Sequence, residues 1–364
     1  MGYFYNFILQ FVAIIVLFTM INKKQVFYYG IQDSTGKFLI FFFVLVFLYS
    51  FYTGFGGDND RYREFVEGGY QNFYYLDFFS FEELYVKIAE YTQNFVLWKI
   101  VVYGSAIILS LWSIKRLEAD NLITLYAFAL IPMSSYGSTR AVLAYSIYLF
   151  GYTFLNGNRI YKHVLGWIII YLSWKAHSSM ILPIMLTPLT YLKITKVRMY
   201  ILIALFPVFV VLFNHYYLMF LGSSAIGDTM SAAKFEVYSE GGDATATSTT
   251  SSILRFLFGF VLVPPVLIGM RGVYSKTIDN RFHKVIKLSF LMVYMSFVMF
   301  FSELDNITFF NRYFTMIPFF LYIAMSGISF EPSISPSTRN IYWNFVLLYS
   351  LVEMLYLLYC TYFV

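Results

Sequence analysis

Four basic side chains lie at the ends of apolar runs, where they are well placed to bind an anion. Arg140 and Arg312 each open a run. Arg255 lies three residues into another run, and Lys175 lies in the turn between two more. A guanidinium donates two parallel hydrogen bonds to phosphate oxygens, and positive charge on a leaving diphosphate stabilises the negative charge that develops during transfer. The pattern predicts a diphosphate site; the alternative is that each side chain reaches the lipid headgroups.

His177 lies two residues after Lys175, at the same end of its apolar run and among polar neighbours. An imidazole takes a proton from an attacking hydroxyl group or donates a hydrogen bond to a phosphate. His177 is therefore a candidate base or phosphate ligand. The alternative is a structural histidine that bonds to Ser178 or to a carbonyl group at a helix turn.

Three acidic residues offer a second candidate base. Asp58 and Asp60 follow the second apolar run, and Glu83 lies further along the same loop. Such a carboxylate accepts a proton or a hydrogen bond from a sugar hydroxyl group. The alternative is that Asp58 or Asp60 begins a short helix through Tyr62 and Phe65. Because no third ligand accompanies the two aspartates, we predict neither a metal site nor a cofactor.

The elements that carry these residues must be membrane helices. The chain has 364 residues, of which 59% are hydrophobic and 12% charged, and its mean hydropathy is +0.66. Soluble domains carry about 25% charged residues, and a span takes roughly 20 apolar residues. The composition excludes a soluble enzyme, a nucleic-acid binder and a protein with one membrane anchor.

Apolar runs recur along the whole chain, so we predict a single all-α domain, 1–364, with about 12 transmembrane or re-entrant helices. The runs lie at about 3–21, 38–55, 95–114, 121–137, 140–156, 164–176, 178–192, 199–221, 253–270, 288–302, 312–329 and 341–363. Runs 164–176 and 288–302 are short and either extend into polar neighbours or are re-entrant. Pro264 and Pro265 are predicted to kink their helix.

The basic residues predict the orientation. If loop 22–37 is cytoplasmic, most of the 25 Lys and Arg residues fall inside, including five in the loop 271–287. Both termini then face outside. The larger outside loops are 56–94, which mixes aromatic and charged residues, and 222–252, which is polar and reads as a mobile lid. The side chains of the predicted site all belong to this outer face.

Several other features of the sequence limit the chemistry. There is no phosphate loop, dinucleotide fingerprint or zinc motif, so direct use of ATP or a nucleotide sugar on the cytoplasmic side is not expected. Cys360 is the single cysteine, which excludes an intrachain disulfide. Lys99 lies near an outer end and reaches the interface, whereas Glu353 lies mid-run and must face protein or water.

Five short motifs together resemble those of the EpsG family of Wzy-type polysaccharide polymerases. They are Gly57-Asp58-Asn59-Asp60-Arg61-Tyr62, Glu83 with Tyr85, Thr139-Arg140-Ala141-Val142-Leu143-Ala144, His177-Ser178-Ser179 and Asn311-Arg312-Tyr313. Asp58 and Tyr62 fit an Asp-x-x-x-Tyr pattern. The chain departs from many members at Ala141, where they have Gln, and it lacks the second histidine that some members carry beside the His-Ser pair.

The resemblance implies a polytopic enzyme with a plan similar to GT-C glycosyltransferases. Such an enzyme joins oligosaccharide units carried on undecaprenyl diphosphate, at the outer face of the bacterial cytoplasmic membrane, to make O-antigen, capsule or exopolysaccharide. It implies catalytic roles for His177, Asp58 and Asp60, and sugar contacts for Arg61, Tyr62, Glu83 and Tyr313. Membrane lipids, a chain-length regulator and a flippase are the implied partners, with no nucleic acid and no cofactor.

Two other functions fit the same composition. A membrane glycosyltransferase that adds one sugar from a polyprenyl phosphate would need the same outer cations. A flippase for lipid-linked oligosaccharides should carry charge along a central pathway and have related halves. The charges here cluster at one face and no internal repeat is visible, which disfavours the flippase.

Overall fold

The computed structural model of the protein describes residues 58–68, 83–117, 139–157, 159–213, 249–278 and 280–301, with isolated positions near both ends of the chain. Within these ranges the chain forms helices and short turns, with no strand. The predicted all-α class is therefore confirmed. The predicted count of about 12 helices and the GT-C-like plan remain predictions.

The helices are labelled in chain order. They are α1 Asp58–Glu67, α2 Glu83–Thr92, α3 Phe95–Arg116, α4 Thr139–Phe154, α5 Ile160–Ala176, α6 Ile181–Leu186, α7 Lys196–Ala204, α8 Thr249–Tyr274 and α9 Asn280–Phe301. Two 3-10 turns, Ser178–Met180 and Pro188–Tyr191, flank α6. A further helical segment, Phe206–Phe213, follows α7.

Helices α4 and α5 form a tightly packed antiparallel pair, and they cross where two glycines meet. A Cβ added to Gly151 would lie 2.9 Å from the carbonyl oxygen of Gly166 and 2.9 Å from the backbone nitrogen of Ile170. Small residues let two helix backbones approach closely, which is the main packing device of helices in lipid. This contact fixes α5, the helix that ends at His177, against α4.

Helix α3 packs on α4 along its length, and polar contacts fix the register of this second pair. The Ser110 hydroxyl donates to the Ser146 hydroxyl at 2.9 Å. Near the end of both helices, Nε of Arg116 donates to the Thr153 hydroxyl at 3.0 Å. Interhelical hydrogen bonds in membranes contribute about 0.6 kcal/mol each, so they align the helices more than they hold them together.

The run 178–192, predicted as one transmembrane or re-entrant helix, is broken into the Ser178–Met180 turn, α6 and the Pro188–Tyr191 turn. Pro188 lacks an N–H group and so interrupts the helical hydrogen bonds. The Thr187 hydroxyl donates to the Pro183 carbonyl at 2.7 Å and also bonds to the Tyr148 hydroxyl at 2.6 Å. The break is thereby fastened to the middle of α4.

The run 199–221 is also interrupted. Helix α7 and the segment Phe206–Phe213 meet at a bend of 51°. Pro207 has no N–H group to donate to the carbonyl of Ile203, four residues earlier. The Tyr294 hydroxyl of α9 donates to the neighbouring carbonyl of Leu202 at 2.7 Å, so α9 supports the bend.

Helices α8 and α9 pack on each other, and both are longer than their apolar runs. Helix α9 extends the short run 288–302 back to Asn280. Helix α8 begins at Thr249, so the last residues of the predicted loop 222–252 are helical, contrary to that boundary. It continues as one helix through Pro264 and Pro265.

Two stretches of the described residues, Phe95–Ile114 and Phe282–Phe301, have the length and hydropathy of a membrane span. The bent pair of α7 and Phe206–Phe213 would make a third. Shorter apolar helices lie at Ala141–Phe154, Ile181–Tyr191 and Gly259–Tyr274. The apolar character of these helices fits a membrane protein.

Basic residues at the start of α9 tie it to the ends of two other elements. Nζ of Lys284 donates to the carbonyl of Leu155 at 2.6 Å and lies 4.1 Å from the ring centroid of Tyr191. Nζ of Lys287 donates to the carbonyls of Thr190 and Leu192 at 3.1 and 2.9 Å. Cations here satisfy carbonyl groups that helix ends leave without partners. We call this region the Lys284 end.

Candidate functional site

The opposite end of the bundle, which we call the His177 end, brings together several of the predicted residues. Because α4 and α5 are antiparallel and joined by a short connection, α4 begins at the level where α5 stops. The Ser178–Met180 turn after His177 packs on α4. The first turn of α4, which contains Arg140, therefore lies at the same end as His177.

His177 ends α5 and is buried, with 8% of its surface exposed. Its backbone N–H donates to the Ser173 carbonyl at 3.0 Å. Its Nδ1 accepts a hydrogen bond from the backbone N–H of Ser179 at 3.2 Å and lies 2.7 Å from the Ser179 hydroxyl. The ring is thus held by Ser179, the residue two positions later.

These contacts determine which ring nitrogen carries the proton. A backbone N–H can only donate, so Nδ1 of His177 must present its lone pair to Ser179. In the neutral imidazole the proton then lies on Nε2, which becomes a donor. Of the two roles left open by the sequence, hydrogen bonding to an anion is the one that this arrangement favours.

Lys175 is exposed in the last turn of α5. Its Nζ lies 5.4 Å from the ring centroid of Trp174 and 6.0 Å from that of Tyr171. A cation over an exposed aromatic ring gains about 0.5–1 kcal/mol. The two rings therefore hold the positive charge beside His177.

Glu83, the first residue of α2, lies close enough to Lys175 for the two charges to interact, because α2 packs on α5. Its carboxylate also forms an ion pair with Lys87 at 2.6 Å. The hydrogen bond and the charge of Lys87, with a smaller effect from Lys175, lower the pKa of Glu83 below its usual 4.5. Glu83 is therefore an ionised hydrogen-bond acceptor at neutral pH and a weak base.

Helix α1 begins at Asp58 and runs through Tyr62 and Phe65; whether an aspartate caps it or acts in the site stays a prediction. Tyr62 is 7% exposed, and its ring centroid lies 5.7 Å from that of Trp98 on α3. Tyr85 of α2 packs on the same indole at 5.9 Å. Aromatic residues of the 56–94 loop thus form a small core that holds α1 and α2 against α3. The burial of Tyr62 in this core explains an aromatic residue at this position without a contact to sugar.

The start of α3 carries a pair of cations around one ring. Lys99 Nζ lies 4.4 Å, and Arg63 Cζ 5.5 Å, from the ring centroid of Phe95. The backbone N–H of Phe95 donates to Oε1 of Glu67 at 3.2 Å. Lys99 is buried, with 4% of its surface exposed, so it does not reach out to the interface as the sequence suggested. The sequence did not identify Arg63 as part of this cluster, because its position over the Phe95 ring depends on the packing of α1 against α3.

The remaining predicted residues are placed by helix position or lie outside the described part of the chain. Arg140 lies in the first turn of α4 and Arg255 in the second turn of α8, but their side chains are not among those described. The same holds for the side chains of Asp58, Asp60 and Arg61 on α1. Three further residues lie outside the described ranges altogether: Arg312, Tyr313 and Glu353.

Among the described side chains, no group of three or more His, Cys, Asp or Glu residues could hold a metal ion. The polar side chains described above for the His177 end include the Lys175 cation, the His177 imidazole and the Glu83–Lys87 ion pair, and the backbone of Arg140 lies at the same end. Such a set suits an anionic ligand that also carries hydroxyl groups.

Comparison with known proteins gives one result of broad coverage. The model of the EpsG family matches residues 37–363, which is nearly the whole chain. No curated protein and no solved structure matches it.

Proposed function

The chain belongs to the EpsG family and is a membrane protein of polysaccharide biosynthesis, and on this premise we propose that it is a Wzy-type polysaccharide polymerase. It transfers a growing glycan from undecaprenyl diphosphate onto a lipid-linked repeat unit. The site is the His177 end, on the outer face of the bacterial cytoplasmic membrane.

One observation carries this proposal. The ends of α2, α4 and α5 come together and bring Glu83, the turn with Arg140, Lys175 and His177 to one end of the bundle. Lys and Arg are disfavoured on the outer face by the rules of membrane insertion, so cations gathered there require a function. A lipid diphosphate presents its charge at this depth.

The proposed reaction forms one glycosidic bond and breaks one bond to phosphate. A hydroxyl oxygen of the terminal sugar of the lipid-linked acceptor attacks the anomeric carbon of the donor glycan. The bond from that carbon to the diphosphate oxygen breaks, and polyprenyl diphosphate leaves with the electron pair. A base takes the hydroxyl proton.

His177 serves in this proposal as a hydrogen-bond donor to the leaving diphosphate. Its Nδ1 accepts from Ser179, so the proton of the neutral ring lies on Nε2, and in the proposed complex this N–H donates to the oxyanion. Lys175, Arg140, Arg255 and Arg312 supply the positive charge. Each donor to a charged group contributes about 1.5–3 kcal/mol, which matters most where charge develops in the transition state.

The base is then an aspartate at the start of α1. Asp58 and Asp60 lie in the helix that packs on α2, which begins at Glu83, and on α3. Glu83 is a poor base because its pKa is lowered, but it suits the recognition of sugar hydroxyl groups. Arg61, Tyr62 and Tyr313 remain proposed contacts for the acceptor sugar, and a chain-length regulator and a flippase remain proposed partners.

The test is extension of a purified lipid-linked repeat unit by the purified, full-length protein. The proposal expects a ladder of products that increase by one whole repeat unit. Products that grow by a single sugar from a polyprenyl phosphate donor would identify the monosaccharide transferase instead. Absence of any extension, with a lipid-linked unit known to be polymerised in the source cell, would overturn the polymerase.

A further inference from the structure

One carboxylate at the His177 end interacts with two lysine side chains. The Glu83 carboxylate forms a 2.6 Å ion pair with Nζ of Lys87, which lies one turn later on α2. Lys175 lies in the last turn of α5, on which α2 packs, and its charge acts on the same carboxylate. One negative charge therefore lies within reach of two positive charges.

The pair with Lys87 is the stronger of these two interactions. Lys87 acts on Glu83 through a hydrogen bond and through its charge, whereas Lys175 acts through its charge alone and has the smaller effect on the pKa of Glu83. The same contact raises the pKa of Lys87 above its usual 10.5. A Glu placed four residues before a Lys is the favourable order for an ion pair on a helix. Lys87 thus holds the carboxylate on its own helix.

Lys175 is held by neutral groups. Its Nζ lies 5.4 Å from the ring centroid of Trp174 and 6.0 Å from that of Tyr171. An aromatic ring attracts a cation through its quadrupole and carries no net charge that would neutralise it. The side chain is also exposed. The positive charge of Lys175 is therefore available to an anion as long as Glu83 stays paired with Lys87.

We propose that Lys87 is a positioning residue for the anion site, because by binding Glu83 it keeps that carboxylate from pairing with Lys175. The assignment rests on the proposed function, in which Lys175 helps to hold the leaving diphosphate, and it adds Lys87 to the residues of the site. An ion pair between Glu83 and Lys175 would have to break before a diphosphate could bind there. Because the side chains of Lys87 and Glu83 are 61% and 73% exposed, the effect has the size of a surface ion pair, about threefold in affinity.

The charge of Lys87 itself offers a simpler explanation that the test must separate from this one. Loss of any nearby cation weakens the binding of an anion, even if Glu83 does not change its partner. A double-mutant cycle distinguishes the two explanations. If Lys87 acts by holding Glu83, then Lys87→Gln has its effect only while Glu83 is present. If Lys87 acts through its own charge, the effect is the same in a Glu83→Gln background.

The experiment uses Lys175 as a local reporter in the purified, full-length protein, in an uncharged detergent at low ionic strength, where exposed charges are least screened. Lysines are acylated to a trace extent, so that few molecules carry two acyl groups, and the rate at Lys175 is measured by peptide mass spectrometry. Inorganic pyrophosphate is the anion, and the concentration that halves this rate measures its affinity at Lys175. The matched control is Lys196, which is also exposed and lies 5.8 Å from the ring centroid of Tyr200 on α7.

We expect Lys87→Gln to raise the half-protecting concentration of pyrophosphate about threefold. It should also slow the acylation of Lys175 without pyrophosphate by about the same factor, because an ammonium paired with a carboxylate loses its proton less readily. In the Glu83→Gln background, Lys87→Gln should change both quantities by less than about 1.5-fold. The rate at Lys196 should be the same in all four proteins. Equal effects of Lys87→Gln in the two backgrounds, or no effect in either, would overturn the positioning role.

No sugar is transferred in this experiment, so the two proposals can fail separately. If chain extension fails while Lys87→Gln acts only in the presence of Glu83, the polymerase is wrong and the positioning role stands. If extension proceeds while the effects of the two substitutions are additive, the polymerase stands and the positioning role is wrong.

Discussion

At the scale of single residues, the contact between His177 and Ser179 changes the chemistry expected of the site. The sequence alone does not determine whether a histidine at the outer end of a span accepts a proton or donates a hydrogen bond. The backbone N–H of Ser179 resolves the ambiguity because it can only donate, which leaves the proton of the neutral ring on Nε2. The His-Ser-Ser motif was visible in the sequence, but the direction of this bond depends on the turn that follows α5.

Substitution of His177 by Gln should therefore retain substantial polymer extension, because a Gln amide also donates a hydrogen bond. His177→Ala removes the donor and should lower the rate by about one to two decades, from the loss of about 1.5–3 kcal/mol. Asp58→Asn should be more damaging than His177→Gln. An inactive His177→Gln enzyme that still binds lipid-linked oligosaccharide, beside an active Asp58→Asn enzyme, would make His177 the base.

Glu83 provides a prediction on pH. Its pKa is lowered by Lys87 and, less, by Lys175, so it stays ionised at all pH values above the usual 4.5 and loses its charge only on further acidification. The Glu83→Gln variant should then lose the same factor in kcat/KM at every pH between about 5.5 and 8. A defect that disappears as the pH falls from about 7 to 5.5 would show that Glu83 titrates in this range and would favour it as the base.

At the scale of elements, sequence periodicity located the apolar runs but not their interruptions or their partners. It placed the helices that became α3, α4, α5, α8 and α9 and left their ends in doubt by several residues. It could not identify the contact between Gly151 and Gly166, because a glycine in an apolar run reveals its packing only when the facing helix is known. Pro188 and Pro207 lie where their helices are interrupted, whereas Pro264 and Pro265 lie within the continuous helix α8. The presence of a proline in the sequence therefore does not by itself predict a break.

The crossing of α4 and α5 can be tested with a matched pair of glycines. A side chain at Gly151 meets backbone atoms of α5 at 2.9 Å, whereas one at Gly104 on α3 has nothing within 4 Å. Gly151→Val should destabilise the protein by about 1–3 kcal/mol, because overpacking must push the two backbones apart. Gly104→Val, measured by thermal unfolding in the same detergent, should be less destabilising. Equal loss in both variants would indicate a general intolerance of valine and no special crossing.

At the scale of the whole molecule, the basic residues divide the bundle into two unlike ends. Lys284 and Lys287 satisfy carbonyl groups at one end, where positive charge also agrees with the predicted cytoplasmic side. At the other end Lys175 lies two residues before His177, and the first turn of α4, with Arg140, lies at the same end. The sequence predicted this division because the charges alternate between loops, but the proximity of Glu83 to Lys175 depends on how α2 folds back onto α5.

The orientation predicts the accessibility of engineered cysteines in a Cys360→Ser background. Tyr91, which is 88% exposed on α2, belongs to the proposed outer side, and Ser275, exposed in the turn after α8, belongs to the inner side. In intact spheroplasts an impermeant thiol reagent should label Tyr91→Cys and spare Ser275→Cys, and both should react after permeabilisation. The reverse pattern would place the His177 end in the cytoplasm.

The central claim is that the protein transfers a growing glycan away from its lipid diphosphate, and following the lipid tests it most directly. The donor chain and the acceptor unit are supplied with different labels on their polyprenyl groups, and the lipid released during extension by the purified protein is identified. The account predicts that each new linkage releases the donor label as polyprenyl diphosphate, while the acceptor label stays in the lengthened product. Release of the acceptor label, or of a polyprenyl monophosphate, would contradict it.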